Sequence, residues 1–220
     1  MTKVTAPKSP EEYFRATEHA LKHLYAGLAS CRSYYEEALK EWDPISHLCE
    51  PVTPESQAAA TRYVEKARKY FGLKFSEATF AGAIFQVAYT GIRLFSRQNS
   101  VPSSYKNLVE SDKKKLVVSA IPFCVGQERH GVPVGLIVYA ARNQYNHWDE
   151  EKPHDVTQNV FRALSEAFSE NVSSDLAFEL SNPTINVYAN EVLLIALGWT
   201  TYDKYFAEMK ALLGSPAASG

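Results

Sequence analysis

The sequence is short of the features that most quickly assign a function. Neither charge dominates: 23 Lys and Arg against 25 Asp and Glu leave a formal net charge of −2, with a pI near 6.3. A dedicated duplex-DNA binder is usually basic, so any nucleic-acid role here rests on a local patch. Cysteine is scarce. Cys31, Cys49 and Cys124 are widely spaced and form no CxxC pair, which excludes a zinc ribbon and a thioredoxin-like motif and fits a reducing compartment. No uncharged run approaches the roughly 20 residues a membrane helix needs, and residues 1–9 have no apolar signal core. A soluble, cytoplasmic protein with no membrane partner is expected. There is no GxSxG or Cys–His nucleophile pattern. The Gly126-Gln127-Glu128-Arg129-His130-Gly131 stretch lacks the Lys-Ser/Thr of a phosphate loop.

What is present is core material. The 220 residues are 45% apolar and include thirteen Tyr, eleven Phe and three Trp, enough to bury the interior of one fairly large domain. Ser9-Pro10-Glu11-Glu12 offers an N-cap hydroxyl, a proline at the first helical position and a glutamate three residues on, the elements of a capping box. Behind it, Phe14, Leu21, Leu28, Tyr35 and Trp42 recur every seventh residue, with Thr17, Leu24, Cys31 and Ala38 between them. This stripe predicts one long helix ending near Trp42 and Pro44, and a long one-sided helix implies a bundle.

Thr53-Pro54-Glu55 predicts a second helix, stopped at Gly72. Ser76-Glu77 predicts a third, apolar around its whole circumference between Thr79 and Thr90 and therefore central, with Gly82 and Gly91 admitting close neighbours. Residues 98–105 read as a loop. Ser111-Asp112-Lys113-Lys114-Lys115 reads as a helix start, although 116–121 suits a buried strand equally well. Residues 126–131 form a turn, and Pro133 opens a helix carrying Leu136, Ile137, Tyr139 and Ala140 that ends at 149–153. Asp155 caps another, with Val156, Val160, Phe161, Leu164 and Phe168 on its buried face. An irregular stretch with an edge strand at 176–180 precedes helices at 188–197 and 201–213. The expected organisation is a flexible 1–8, a single all-α domain over 9–213 in which 171–213 is a C-terminal helical appendage, and a disordered 214–220.

One segment carries chemistry. Arg142-Asn143-Gln144-Tyr145-Asn146-His147 follows directly on the apolar run of a core helix. Asn143 and His147 share one helix face and Arg142 and Asn146 the adjoining one, while Arg142 and His147 lie about 140° apart at 100° per residue. Together these groups suit cleavage of RNA by its own 2′-hydroxyl: a neutral imidazole takes the proton and a guanidinium neutralises the phosphate oxygens, with Asn orienting either group. No metal or other cofactor is called for. The alternative is structural, because His and Asn cap helix C-termini and Arg there suits the helix dipole. Asp149-Glu150-Glu151 also repels phosphate if it faces the same cleft.

The string from Ala140 to Trp148 resembles the signature of the HEPN (higher eukaryotes and prokaryotes nucleotide-binding) superfamily: Arg, a polar residue often Asn, three variable residues, then His. Arg142, Asn143 and His147 occupy its fixed positions. The resemblance covers the motif in sequence and residues 9–170 in architecture only. It implies an up-and-down helical bundle and a homodimer whose protomers bring two motif copies to one cleft. It also implies a metal-independent endoribonuclease of toxin–antitoxin, phage-defence or RNA-processing type, partnered by RNA and by an antitoxin or a nucleotidyltransferase-type protein. On that reading Arg142, Asn143 and His147 are catalytic, and Asn146, Lys113 and Lys114 bind substrate. Polar residues on an early helix, Glu18 or His19, then support the site.

Two rivals stand beside it. A noncatalytic scaffold or protein-interaction subunit keeps the motif for structural reasons. A metal-dependent helical hydrolase uses His19 and His23, at the i, i+4 spacing of two ligands, and requires a third ligand from elsewhere. The aromatics Tyr34, Tyr35 and Trp42 read more simply as bundle core than as a base-stacking platform.

Overall fold

The hydroxyl of Ser9 accepts the backbone N–H of Glu12 at 3.3 Å, and Pro10 opens helix α1 (Pro10–Lys40). The reciprocal half of the box lands one residue early, since the Glu12 carboxylate accepts the N–H of Lys8 at 2.8 Å. The computed structural model describes residues 6–40, 54–150, 152–169, 178, 180 and 189–214. Trp42, Pro44, Cys49, Thr53, Glu151, the side chain of Tyr35, most side chains over 54–71, the two chain ends and all of the expected edge strand except Phe178 and Leu180 lie outside them. On α1 the predicted stripe is buried at Phe14, Leu21 and Leu28, joined by Tyr13 and Tyr25. Tyr34 is 55% exposed and is not core.

The second and third predicted helices are one, α2 (Pro54–Phe95). Gly72 does not stop it: its backbone is not left-handed and nothing crowds it. The hydroxyls that look like caps bond back into the helix, Ser76 to the Gly72 carbonyl and Thr79 to that of Phe75, both at 2.9 Å, the interior habit of Ser and Thr. The second half of α2 is the centre of the fold, with Ala81, Ile84, Phe85, Ala88 and Ile92 fully buried. Tyr13 donates to the Val87 carbonyl at 2.6 Å and lies against Gly91, while Gly27 faces Phe80. Residue numbers thus fall along α2 as they rise along α1, so the two run antiparallel.

From Phe95 the chain passes through a 3₁₀ turn (Ser103–Tyr105), α3 (Lys106–Val109) and a second 3₁₀ turn (Val118–Phe123). Neither the helix expected from Ser111 nor the buried strand expected at 116–121 is present. Lys114 takes a left-handed φ of 55°, and Ser111 closes a tight turn with Lys114 and Lys115. A single bridge pairs Glu110 with Leu116. Leu116 and Val118 are exposed.

A short hairpin, β1 (Glu128–Arg129) and β2 (Val132–Pro133), turns at His130 and Gly131. Both have positive φ, 54° and 75°, as a two-residue type I′ turn requires. Pro133 is the residue before helix α4 (Val134–Asn146), with φ −66° and ψ 139°, rather than its first residue. Helix α4 is buried on every side from Val134 to Ala141 and packs on α2 and on α5 (Asp155–Ser169). Asp155 does not cap α5 from outside; it is the first helical residue, and its carboxylate accepts the N–H of Asp112 at 3.3 Å.

The C-terminal elements are α6 (Ala189–Glu191), a π-helical turn (Val192–Ala196) and α7 (Tyr202–Gly214). They complete the core, because Trp199, Tyr205 and Met209 are fully buried. Phe206 meets Phe14 and Tyr202 meets Tyr25 edge to face, so α7 runs antiparallel to α1. The protein is an all-α helical bundle with additional C-terminal helices. No described helix is long and apolar enough to cross a membrane.

Candidate functional site

The motif occupies the last turns of α4, where the helix leaves the core. Its position against α2 is set at Gly82, since a Cβ there would stand 2.5 Å from the Tyr145 ring. One turn earlier on α4, Arg142 lies half-buried on the same neighbour. Its guanidinium carbon sits 4.8 Å from the centre of the Tyr89 ring, a cation–π distance. Its Nε donates to Gln86 Oε1 and its Nη1 to Asn143 Oδ1, each at 3.0 Å. In the amide orientation that hydrogen bonding requires, the Asn146 oxygen lies 3.1 Å from Nη2 and 2.9 Å from Nε. Three of the guanidinium's five N–H groups are therefore engaged, and two remain for a ligand. Asn143 is buried and Asn146 exposed.

His147 ends α4. Its N–H reaches the Asn143 carbonyl at 3.0 Å, and its own backbone, with φ −126° and ψ 31°, is no longer helical. The imidazole is half-exposed. Nδ1 lies 2.5 Å from Glu150 Oε1, and the ring meets His154 nearly at right angles, centroids 5.1 Å apart. Coordinating atoms of His147, Glu150 and His154 all fall within 4.8 Å of one another, the one such trio of His, Cys, Asp or Glu among the described residues. No hydrogen bond or ion pair joins Arg142 to His147, as their separation around the helix predicts.

Lys113 and Lys114 sit in the exposed 111–115 turn. That turn is tied to the α4–α5 connection through Asp112, which accepts from Lys152 at 2.9 Å while its N–H reaches Asp155. The Lys152 ammonium holds the Asp112 carboxyl below its usual range. The two lysines thus lie toward the same end of the bundle as the motif.

Sequence reasoning singles out Arg142, Asn143, Asn146 and His147 as candidates but not the groups the structure packs against them. Gln86 and Tyr89 are more than fifty residues away in the chain, and no spacing rule reaches them. Glu150 reads from sequence as a repulsive charge, and here it is the partner of His147. His154, seven residues on in the connection to α5, lies against His147.

The other constellations are simpler. His19 and His23 bring their Nε2 atoms within 3.2 Å, yet no third metal-ligating side chain joins them among the described residues. Glu18 pairs with Lys22 at 2.7 Å on the exposed face. A cleft of about 800 Å³ opens between Tyr105, Arg129, Trp199, Lys204 and Glu208, and no motif residue lines it. Cys124 borders that cleft, but burial pushes its thiol up to about 11, which leaves too little thiolate for a nucleophile. Comparison of the chain with protein-family models, with curated proteins and with solved structures finds no match.

Proposed function

We propose that the C-terminal end of α4 is the reactive end of a HEPN-like, metal-independent endoribonuclease that acts as a homodimer. The observation that carries this reading is the 2.5 Å contact between His147 Nδ1 and Glu150 Oε1. A carboxylate acceptor places the imidazole proton on Nδ1 and leaves the Nε2 lone pair as the proton acceptor. A carboxylate orients the base of a hydrolase triad in the same way. Nε2 takes the proton of a ribose 2′-hydroxyl, and the 2′-oxygen bonds to phosphorus as the bond to the 5′-oxygen breaks. The imidazolium then returns the proton to the departing 5′-oxygen. The products are a 2′,3′-cyclic phosphate and a 5′-hydroxyl.

Arg142, fixed over Tyr89, supplies positive charge to the phosphate oxygens through its remaining N–H groups. Asn143 holds the guanidinium, and Asn146, Lys113 and Lys114 are the further RNA contacts. Arg142 and His147 occupy different faces of α4, so a twofold-related copy is needed to bring both to one phosphodiester. An antitoxin or a nucleotidyltransferase-type protein is the class of protein partner this reading carries.

The test is digestion of mixed cellular RNA in EDTA by the wild-type chain, His147→Ala and Arg142→Ala. Cyclic phosphate ends from wild type, with losses of about 10²-fold or more in both variants, support the assignment. Equal cutting by all three, or none by any, moves the motif to a structural role. A second reading rests on the same guanidinium: its bond to Gln86 and its seat over Tyr89 clamp α4 to α2, which a noncatalytic scaffold would also use. In that case Arg142→Ala lowers stability and leaves RNA untouched.

A further inference from the structure

We propose that His147, Glu150 and His154 form a binding site for one divalent transition-metal cation of the zinc class. The proposal shares His147 with the cleavage chemistry above but does not rest on it. Two imidazoles and one carboxylate are a donor set that zinc accepts, and three protein ligands leave a fourth position for water or a ligand. The coordinating atoms already lie within 4.8 Å of one another. Ligand bonds of about 2.1 Å place tetrahedral donors roughly 3.4 Å apart, so the site forms by small side-chain movements. The His147–Glu150 contact opens and His154 closes in. Glu150 and His154 are exposed and His147 half-exposed, so rotation meets no packed core.

The backbone is held at each of the three groups. His147 ends α4 and is bonded to Asn143. The N–H of Glu150 returns to the His147 carbonyl at 3.2 Å, and the His154 carbonyl accepts the N–H of Gln158 in the first turn of α5. From outside, Asp112 ties down Lys152 and Asp155. The electrostatics agree. The C-terminal end of α4 presents its negative dipole end, Asp149 lies within the same connection, and the one lysine in it, Lys152, is drawn to Asp112. The fixed charge around these three groups is negative, so a cation is favoured here when no RNA is bound. A bound metal takes up His147 and Glu150, and the two uses of His147 exclude each other.

The experiment is titration of the full-length chain with Co²⁺, read by its visible absorption, followed by displacement with Zn²⁺. The expected result is one equivalent bound per chain. His154→Ala and Glu150→Gln should each weaken binding by at least about 10-fold, the loss already seen for groups that merely support a ligand. His19→Ala, which removes half of the other close histidine pair, should bind as wild type does. Circular dichroism in EDTA establishes that the variants are folded. Absence of a Co²⁺ band at millimolar metal, undiminished binding by either His154→Ala or Glu150→Gln, or loss of binding in His19→Ala overturns the site. The RNA assay runs in EDTA, so the cleavage reading and the metal reading fail separately.

Discussion

The ring of Tyr145 rests on the backbone of Gly82, so close that a Cβ at Gly82 would stand 2.5 Å from two ring carbons. This contact fixes the height at which α4 crosses α2, and with it the placement of Arg142 over Tyr89. The atoms involved include Cγ of the ring, so Tyr145 cannot evade a new methyl by moving only its tip. Gly82→Ala gains about 1 kcal/mol of helix propensity against an overpacking cost of about 1–3 kcal/mol. A net loss of about 1 kcal/mol is expected in urea unfolding. In a Tyr145→Ala background the clash is gone, and the same Gly82→Ala change should stabilise. An unchanged sign in the double-mutant cycle would show that the contact does not set the packing.

Glu77 lies on α2 with its side chain almost fully buried. Asn190 donates to it at 3.1 Å, and Lys74 stands 3.8 Å away. Burial raises its carboxyl above the ordinary range, outweighing the opposing pull of Lys74 and Arg32. The folded state therefore holds this proton more tightly than the unfolded chain. Stability from this group is present at low pH and is lost as pH rises from the unfolded carboxyl range through the raised folded value. Glu77→Gln keeps an acceptor for Asn190 and removes that loss. The variant should match wild type near pH 4 and melt higher at pH 7. A lower melting temperature at pH 7 would mean that the ion pair with Lys74 outweighs desolvation.

The helical class, the central place of α2 and the buried faces of α1 and α5 follow from periodicity, which is a local property that packing then exploits. The misreadings are equally local. Gly72 and Ser76 look like a stop and a start because glycine and serine favour helix ends, but neither dictates one when the chain beyond continues helical and the hydroxyl can bond four residues back. Lys113 follows a good capping pair, yet the bridge between Glu110 and Leu116 takes the chain into a turn that a helix could not make. Within the site, the order Arg142 to His147 is visible as a string. The contacts of Gln86, Tyr89 and His154 with it come from helix crossing and loop closure, which one strand of sequence does not encode in any spacing.

Glu208 on α7 ties Trp199, nine residues before it, to the Gln127 and Arg129 side chains, 81 and 79 residues away in the chain. Its carboxylate accepts from the Trp199 indole at 2.8 Å, from Gln127 Nε2 at 2.5 Å and from Arg129 at 3.5 Å. Trp199 is buried in the core, and the Arg129 Nε already lacks a partner, so removing the acceptor strands one further buried donor, the indole N–H. Glu208→Ala should cost about 2–3 kcal/mol, the range for losing charge-assisted bonds and leaving donors unsatisfied. Glu208→Gln keeps an acceptor for the indole and gives up the exposed bond from Gln127, whose amide can turn or bond to water instead, and the long, partly exposed ion pair with Arg129, which is worth about 1 kcal/mol or less. Urea unfolding of the two variants separates these terms. A Gln variant as damaged as the Ala variant would place the stabilisation in the negative charge, and an undamaged Ala variant would mean that water replaces the carboxylate on the cleft side of Trp199.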